Sequence, residues 1–255
     1  MVKNRVLKYL SVFVFLLSTF SSFEGLKAET KGTDIFSKDQ IDIIKKMAIE
    51  AMLENPEVLI EVSKILKERD EIKKSKNISR LLEEYRSELF DVSDTGILGN
   101  PNGDITIVEF FDYNCSYCKV AAQNIRSLIR DDGNIRFIPR EWPILNSISV
   151  FAAKAAIASI KQDKYKDFHW KLMDEKRLNE DKIISLADEL DIDLIKLEDD
   201  MNSEFVKGHI EKSTLLAKKI GFSGTPLFII EDQFIPGYVP IEEMKAIISK
   251  IRKNN

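Results

Sequence analysis

Residues 104–138 read without interruption as strand, turn, helix and strand, and the chain's two cysteines stand at the joint between the first strand and the helix. Asp104 to Phe111 (DITIVEFF) is apolar on both alternating faces. Ile105, Ile107 and Phe111 point one way with Glu109 among them, and Thr106, Val108 and Phe110 point the other. A strand apolar on both sides belongs in the middle of a covered sheet. Val120 to Ile129 (VAAQNIRSLI) has the period of an amphipathic helix, Asp131-Asp132-Gly133-Asn134 ends it, and Ile135 to Ile138 (IRFI) is a second strand. The unit is βαβ, which predicts an α/β fold.

The stretch from Ser147 to Ile220 then has helical periods throughout, with Gly221 as its C-cap. After Ser223-Gly224-Thr225-Pro226 come Leu227 to Ile230 (LFII), a polar turn at Glu231-Asp232 and Phe234-Ile235, which together suggest an antiparallel hairpin. Ile241 to Ile251 closes the chain as an amphipathic helix. The predicted order is βαβ, an all-helical insert at about residues 147–220, and ββα, within a domain spanning 91–255.

Upstream, residues 30–90 read as a charged helical arm nearly free of glycine. Ser37 and Gln40 have the spacing of a capping box. Asn55-Pro56 ends one helix and starts another. Ile41, Ile44, Met52, Val58, Leu59, Val62, Ile65 and Leu66 recur at helical spacing, and the polar run ERDEIKKSK follows before Leu81, Leu82 and Tyr85 resume. Two readings of this stripe stand: it packs on the main domain, or it pairs with another subunit to make a homo-oligomer.

Residues 1–28 read as a secretory signal. Lys3, Arg5 and Lys8 precede the apolar run Tyr9 to Phe20, and a small and polar segment follows, with Ala28 before the expected cut. The apolar run falls short of the roughly 20 residues that span a bilayer. No cysteine follows it to carry a lipid, and the C-terminal KNN is no retention signal. The expectation is a cleaved, exported protein in a bacterial periplasm. A formal net charge of -4, with 38 Lys+Arg against 42 Asp+Glu, gives no electrostatic footprint for nucleic acid.

Export decides what Cys115 and Cys118 can mean, because an oxidising compartment turns a thiol pair into a disulfide unless something reduces it. A closed zinc site wants four ligands, and His169 and His209, the only histidines, are far apart in the sequence. No metal is expected. A structural disulfide stabilises through the loop it closes, and a CxxC closes almost none. What the spacing does achieve is to put Cys115 at a helix N-terminus, where unpaired N–H groups and the helix dipole favour a thiolate, with Cys118 one turn on. Cys115 then attacks or is attacked, and Cys118 resolves the mixed disulfide.

From FFDYNCSYCK, Glu141-Trp142-Pro143, Gly224-Thr225-Pro226 and Pro236-Gly237, the chain over residues 98–251 resembles the thioredoxin-fold thiol–disulfide oxidoreductases, more closely their exported DsbA-like group with a helical insert. The resemblance implies a cis peptide at Thr225-Pro226 that faces the cysteines and binds the client backbone. It also matches Glu109 to a buried acid behind the cysteines, whose burial would raise its pKa and let it relay a proton to Cys118. Ser116-Tyr117 stands where the strongest oxidases of the group have Pro-His, so the direction of exchange is expected to be tuned there. Tyr117 and Thr225 together look more like the isomerases. The implied activity is promotion of disulfide formation with no cofactor beyond the Cys115–Cys118 couple. Its partners would be clients with free thiols or wrong disulfides, and a membrane or soluble redox partner that resets it. The alternatives are an isomerase or reductase paired through the arm, and a non-catalytic chaperone or surface-associated scaffold.

Overall fold

The computed structural model describes residues 36–254 apart from Asp94, so the signal reading lies outside the described residues. By its contacts the chain divides after Ser63.

In the first unit, α1 (Lys38–Glu54) starts at a complete capping box: Gln40 N–H donates to Ser37 Oγ, and Ser37 N–H donates to Gln40 Oε1. The helix buries none of its residues, and α2 (Glu57–Glu84) begins after Asn55-Pro56. Ile41, Ile44, Met47, Met52, Leu59 and Val62 are all exposed. No helix among the described residues is long and apolar enough to cross a membrane.

The second unit, residues 64–255, holds the sheet. Its strands are β1 (Leu98–Gly99), β2 (Ile105–Phe111), β3 (Ile135–Glu141), β4 (Leu227–Ile230) and β5 (Gln233–Pro236), in the spatial order β1-β3-β2-β4-β5. β2 and β3 run parallel and are joined through α4 (Ser116–Asp132), while the other pairs are antiparallel. Gly133, at φ 73°, ends α4 in the left-handed region that favours glycine. The insert consists of α5 (Ser147–Ala158), α6 (Tyr165–Asp174), α7 (Glu180–Asp188), α8 (Leu194–Met201) and α9 (Glu204–Ile220). After the β4–β5 hairpin, α10 (Ile241–Asn254) closes the fold.

All seven residues of β2 are buried, and its alternation divides the core. Ile105, Ile107 and Phe111 join a large cluster with α4, α10 and the insert helices. Val108 and Phe110 join a smaller one with Trp142, Leu216, Phe222 and, from the chain before the sheet, Leu82 and Leu89. Sequence reading drew the arm to residue 90, but the sheet-bearing unit takes in residues 64–90. The reason is partly apolar burial and partly Arg140 on β3. Its side chain is fully buried, and Nη2 donates to the carbonyls of Glu88, Leu89 and Asp91 around the end of α3 (Arg86–Leu89). A buried guanidinium spent on helix-end carbonyls binds that segment to the sheet.

Candidate active site

The end of β2 delivers FFDYNC to the start of α4, where Cys115 is the N-cap and Cys118 lies in the first turn. Both thiols are free. They are unequal: Cys115 is 8% exposed, Cys118 not at all. The Thr225–Pro226 peptide is cis, and Cys115 Sγ donates to the Thr225 carbonyl at 3.4 Å, so the loop before β4 lies directly against the N-terminal sulfur.

The Cys115 pKa is lowered to about 6. The hydrogen bond from the Cys118 thiol contributes most, burial opposes it, and the backbone N–H groups of Cys118 and Tyr117 and the Thr225 side chain add to the lowering. The sequence points to helix N–H groups as the stabilisers; the structure adds the second thiol as the larger one. Cys118 moves the other way, pushed far up by burial, then by its bond to Cys115 and the charge of Glu109. In the reduced protein Cys115 alone is a thiolate near neutrality.

Glu109 is 1% exposed on β2, and its Oε1 has no hydrogen-bond partner among the described residues. Burial, and secondarily the Cys115 charge, raise its pKa well above the usual carboxylate range. A carboxyl group in this state can hold a proton near neutrality and release it when the field changes. Ser116 and Tyr117 are exposed. Tyr117 lies 6.3 Å from Tyr238 between ring centroids, and its backbone N–H helps lower the Cys115 pKa.

Three residues of this site carry no role in the sequence reading. Asp112, 1% exposed, accepts from Asn114 N–H at 2.7 Å through Oδ1 and from Ile144 and Leu145 N–H at 2.9 and 3.0 Å through Oδ2. One carboxylate thus ties the cysteine loop to the loop after β3, where Ile144 and Leu145 expose their side chains beside the site. Lys119 donates to the Leu172 carbonyl of α6 at 3.1 Å, and burial lowers its pKa to about 8. Tyr113 reaches back into a buried polar cluster. Its hydroxyl lies 2.9 Å from His169 Nδ1 and 3.5 Å from Glu141 Oε1. Glu141 also accepts from Tyr165 at 2.6 Å and pairs with His209 Nε2 at 2.8 Å. The two histidines, far apart in sequence, enter one cluster: His209 pairs with the Glu141 carboxylate directly, and His169 reaches it through the Tyr113 hydroxyl. The only advance signal was an acid at a strand end followed by two histidines on otherwise apolar helix faces. No group of three or more His, Cys, Asp and Glu residues able to hold a metal occurs among the described residues.

The split between the thiols has a direct readout. Alkylation of the reduced protein, followed residue by residue by mass spectrometry, should accelerate at Cys115 with a midpoint near pH 6 as the thiol ionises. Cys118 should stay unmodified through pH 9, because its folded pKa is raised above its ordinary 9.0 and its sulfur is covered. A Cys115 midpoint at the ordinary value would mean that its neighbours do not stabilise the thiolate.

Residues 106–249 match the family described as the DSBA-like thioredoxin domain. Among curated proteins, the chain is 28% identical over 167 residues to disulfide bond formation protein D of Bacillus subtilis, covering 60% of this chain and 75% of that one. It is 26% identical over 155 residues to the Na(+)/H(+) antiporter NhaA 3 of Salinispora tropica, covering 60% of this chain and only 24% of that protein's length. Among solved structures, it resembles a thioredoxin-like oxidoreductase from Silicibacter pomeroyi with 44% identity and a TM-score of 0.64, over 66% of this chain and 98% of that one.

Proposed function

The chain belongs to the DSBA-like thioredoxin domain family, whose members are thiol–disulfide oxidoreductases, and from that premise we propose that it carries a Cys115–Cys118 disulfide in the periplasm and transfers it to client proteins. The observation that carries this reading is the inequality of the two thiols. A pKa of about 6 on the accessible sulfur favours the reduced form and so makes the disulfide an oxidant.

The electron count closes without a bound cofactor. A client thiolate attacks Cys115 Sγ, the Cys115–Cys118 bond breaks, and a client–Cys115 disulfide forms as Cys118 leaves and takes up a proton. Glu109 supplies that proton. A second client thiolate then attacks the client's own sulfur and expels Cys115 as a thiolate. The client loses two electrons and the couple gains them; a membrane or soluble disulfide partner must later remove them. Thr225 holds the client backbone against Cys115, where its carbonyl is already within reach.

A second reading, disulfide isomerisation by an oligomer, is favoured by one specific feature. The apolar side chains of α1 and the start of α2, among them Ile44, Met47, Leu53 and Leu59, are exposed. Apolar surface at helical spacing invites a second copy. Both readings are tested by giving the protein a reduced, unfolded client and, separately, a scrambled one. The expected result is near-stoichiometric oxidation of the first. Met47→Glu combined with Leu59→Glu should lower the mass in solution and the repair of the scrambled client while leaving oxidation intact. Failure to oxidise or repair either client would leave a non-catalytic scaffold in place of this function.

A further inference from the structure

The site opens onto a trough that α2 walls. A depression of about 580 Å³ begins at Gly224, Thr225 and Pro226 and reaches Lys74, Asn77 and Ile78 of α2. A second, of about 570 Å³, shares Lys74, Ile78 and Phe234 with the first and continues along α2 past Ser79 to Glu83, with Asp232 and Gln233 opposite. Each is of a size that encloses a ligand. The floor of the first depression is apolar, with Phe222 and Leu227 in the smaller core cluster and Ile78 and Phe234 packed against it, while the second sets charged side chains, among them Lys74, Glu83 and Arg86, around Ile78, Leu82 and Phe234. Asn77 and Ser79 form an exposed polar rim. Along one side runs β5, the last strand of the sheet, whose outer backbone groups have no neighbouring strand among the described residues. Residues 74–83 precede the part of the chain that matches the family, so this wall is not built by the shared domain.

We propose that the trough binds the client segment that flanks the attacked cysteine, as an extended and mainly apolar polypeptide. The inference rests on the exchange reading and adds α2 as a determinant of which clients react. Two observations point to this occupant. The trough is continuous with Thr225, whose carbonyl lies 3.4 Å from Cys115 Sγ, so a chain bonded to that sulfur has the trough as its path away. The dimensions also fit: nine helical rises from Lys74 to Glu83 cover about 14 Å, the reach of about four extended residues. An apolar floor, a polar rim and an open strand edge are what a strand of polypeptide with alternating side chains uses.

The test uses the full-length reduced protein and three probes, each an aryl mixed disulfide that releases a coloured thiol. They are glutathione, which is too short to reach α2, and two peptides with a cysteine extended by four apolar residues on its N-terminal or its C-terminal side. One extended peptide should react about tenfold faster than glutathione, a difference of about 1.4 kcal/mol. Asn77→Trp and Ser79→Trp, which fill the trough from exposed helix positions, should bring that peptide back to the glutathione rate and leave glutathione unchanged. Unchanged glutathione kinetics in the variants also shows that they fold. The inference is overturned if neither peptide outpaces glutathione, or if the variants slow all three probes alike. It is equally overturned if Asn77→Trp lowers the mass in solution while peptide rates hold, which would make the occupant a second copy. If glutathione is also inert with the unaltered protein, the exchange reading itself falls and takes this one with it.

Discussion

Cys115→Ser should abolish disulfide exchange, and Cys118→Ser should stop it halfway. The first expectation follows from access and charge together. Cys115 keeps 8% of its surface exposed, while Cys118 is fully covered and its pKa is pushed far up, so the remaining thiol of a Cys115→Ser protein is neither reachable nor ionised. With a pKa of about 6, Cys115 is about nine-tenths thiolate at neutral pH, whereas an unperturbed thiol is only a few per cent ionised. Cys118→Ser removes the group that resolves the mixed disulfide and also the thiol that contributes most to lowering the Cys115 pKa. The variant should form client–Cys115 adducts more slowly, with its alkylation midpoint moved up from pH 6, but release them far more slowly still. Non-reducing electrophoresis against a client that carries non-native disulfides reads both effects: the Cys115 thiolate attacks a client disulfide and expels one client thiolate, so adducts accumulate and vanish on reduction for Cys118→Ser, and none form for Cys115→Ser. Adducts formed through Cys118 would reverse the assignment of attacking and resolving sulfur.

How far these groups could be foreseen depended on whether their partners were near them in the chain. The joint at Cys115 is local, with a strand of period two, a CxxC and a helix of period near four inside one βαβ unit, and each of those signals lies within a few residues of the next. The insert was legible for the same reason, since five helices in series from Ser147 to Ile220 each have their own apolar stripe. Asp112 is different. Two of the three N–H groups that it accepts belong to Ile144 and Leu145, and nothing in FFDYNC says which distant loop will supply them. The limit of the arm was hidden likewise, because the helical pattern resumes at Leu81, Leu82 and Tyr85 after the polar run, and nothing in it says that Arg140 on β3 reaches the carbonyls of Glu88 and Leu89. The groups that lower the Cys115 pKa are likewise partly distant: beside the Cys118 thiol and the N–H groups of Cys118 and Tyr117 stands the Thr225 side chain, from 110 residues further along the chain.

The cluster around Glu141 carries the largest expected effect on stability. Its carboxylate, 1% exposed, accepts from His209 and Tyr165, and Tyr113 and His169 complete the group behind the cysteine loop. Burial alone would raise the Glu141 pKa, but the hydrogen bond and charge of His209 and the Tyr165 hydroxyl outweigh it and hold the pKa below the ordinary value. Glu141→Ala leaves a buried imidazole N–H and a phenol without their acceptor and should cost about 3–5 kcal/mol, read as a fall in the urea midpoint. Glu141→Gln keeps the volume and one acceptor oxygen and should cost less, about 1–3 kcal/mol. The pH dependence has two parts of the same sign. His169 is neutral in the fold, its pKa lowered by burial to about 4 from 6.5. Its contribution is fully present above pH 6.5 and declines as pH falls towards 4, because the unfolded chain takes up the proton first. The loss amounts to at most about 3 kcal/mol. Glu141, with a depressed pKa, contributes stability that is present above its ordinary value of 4.5 and is lost on further acidification. The urea midpoint should therefore drop steeply between pH 6.5 and 4, and His169→Gln should flatten that slope. An unchanged slope in His169→Gln would place the acid sensitivity in other groups and show that the imidazole is not held neutral by its burial.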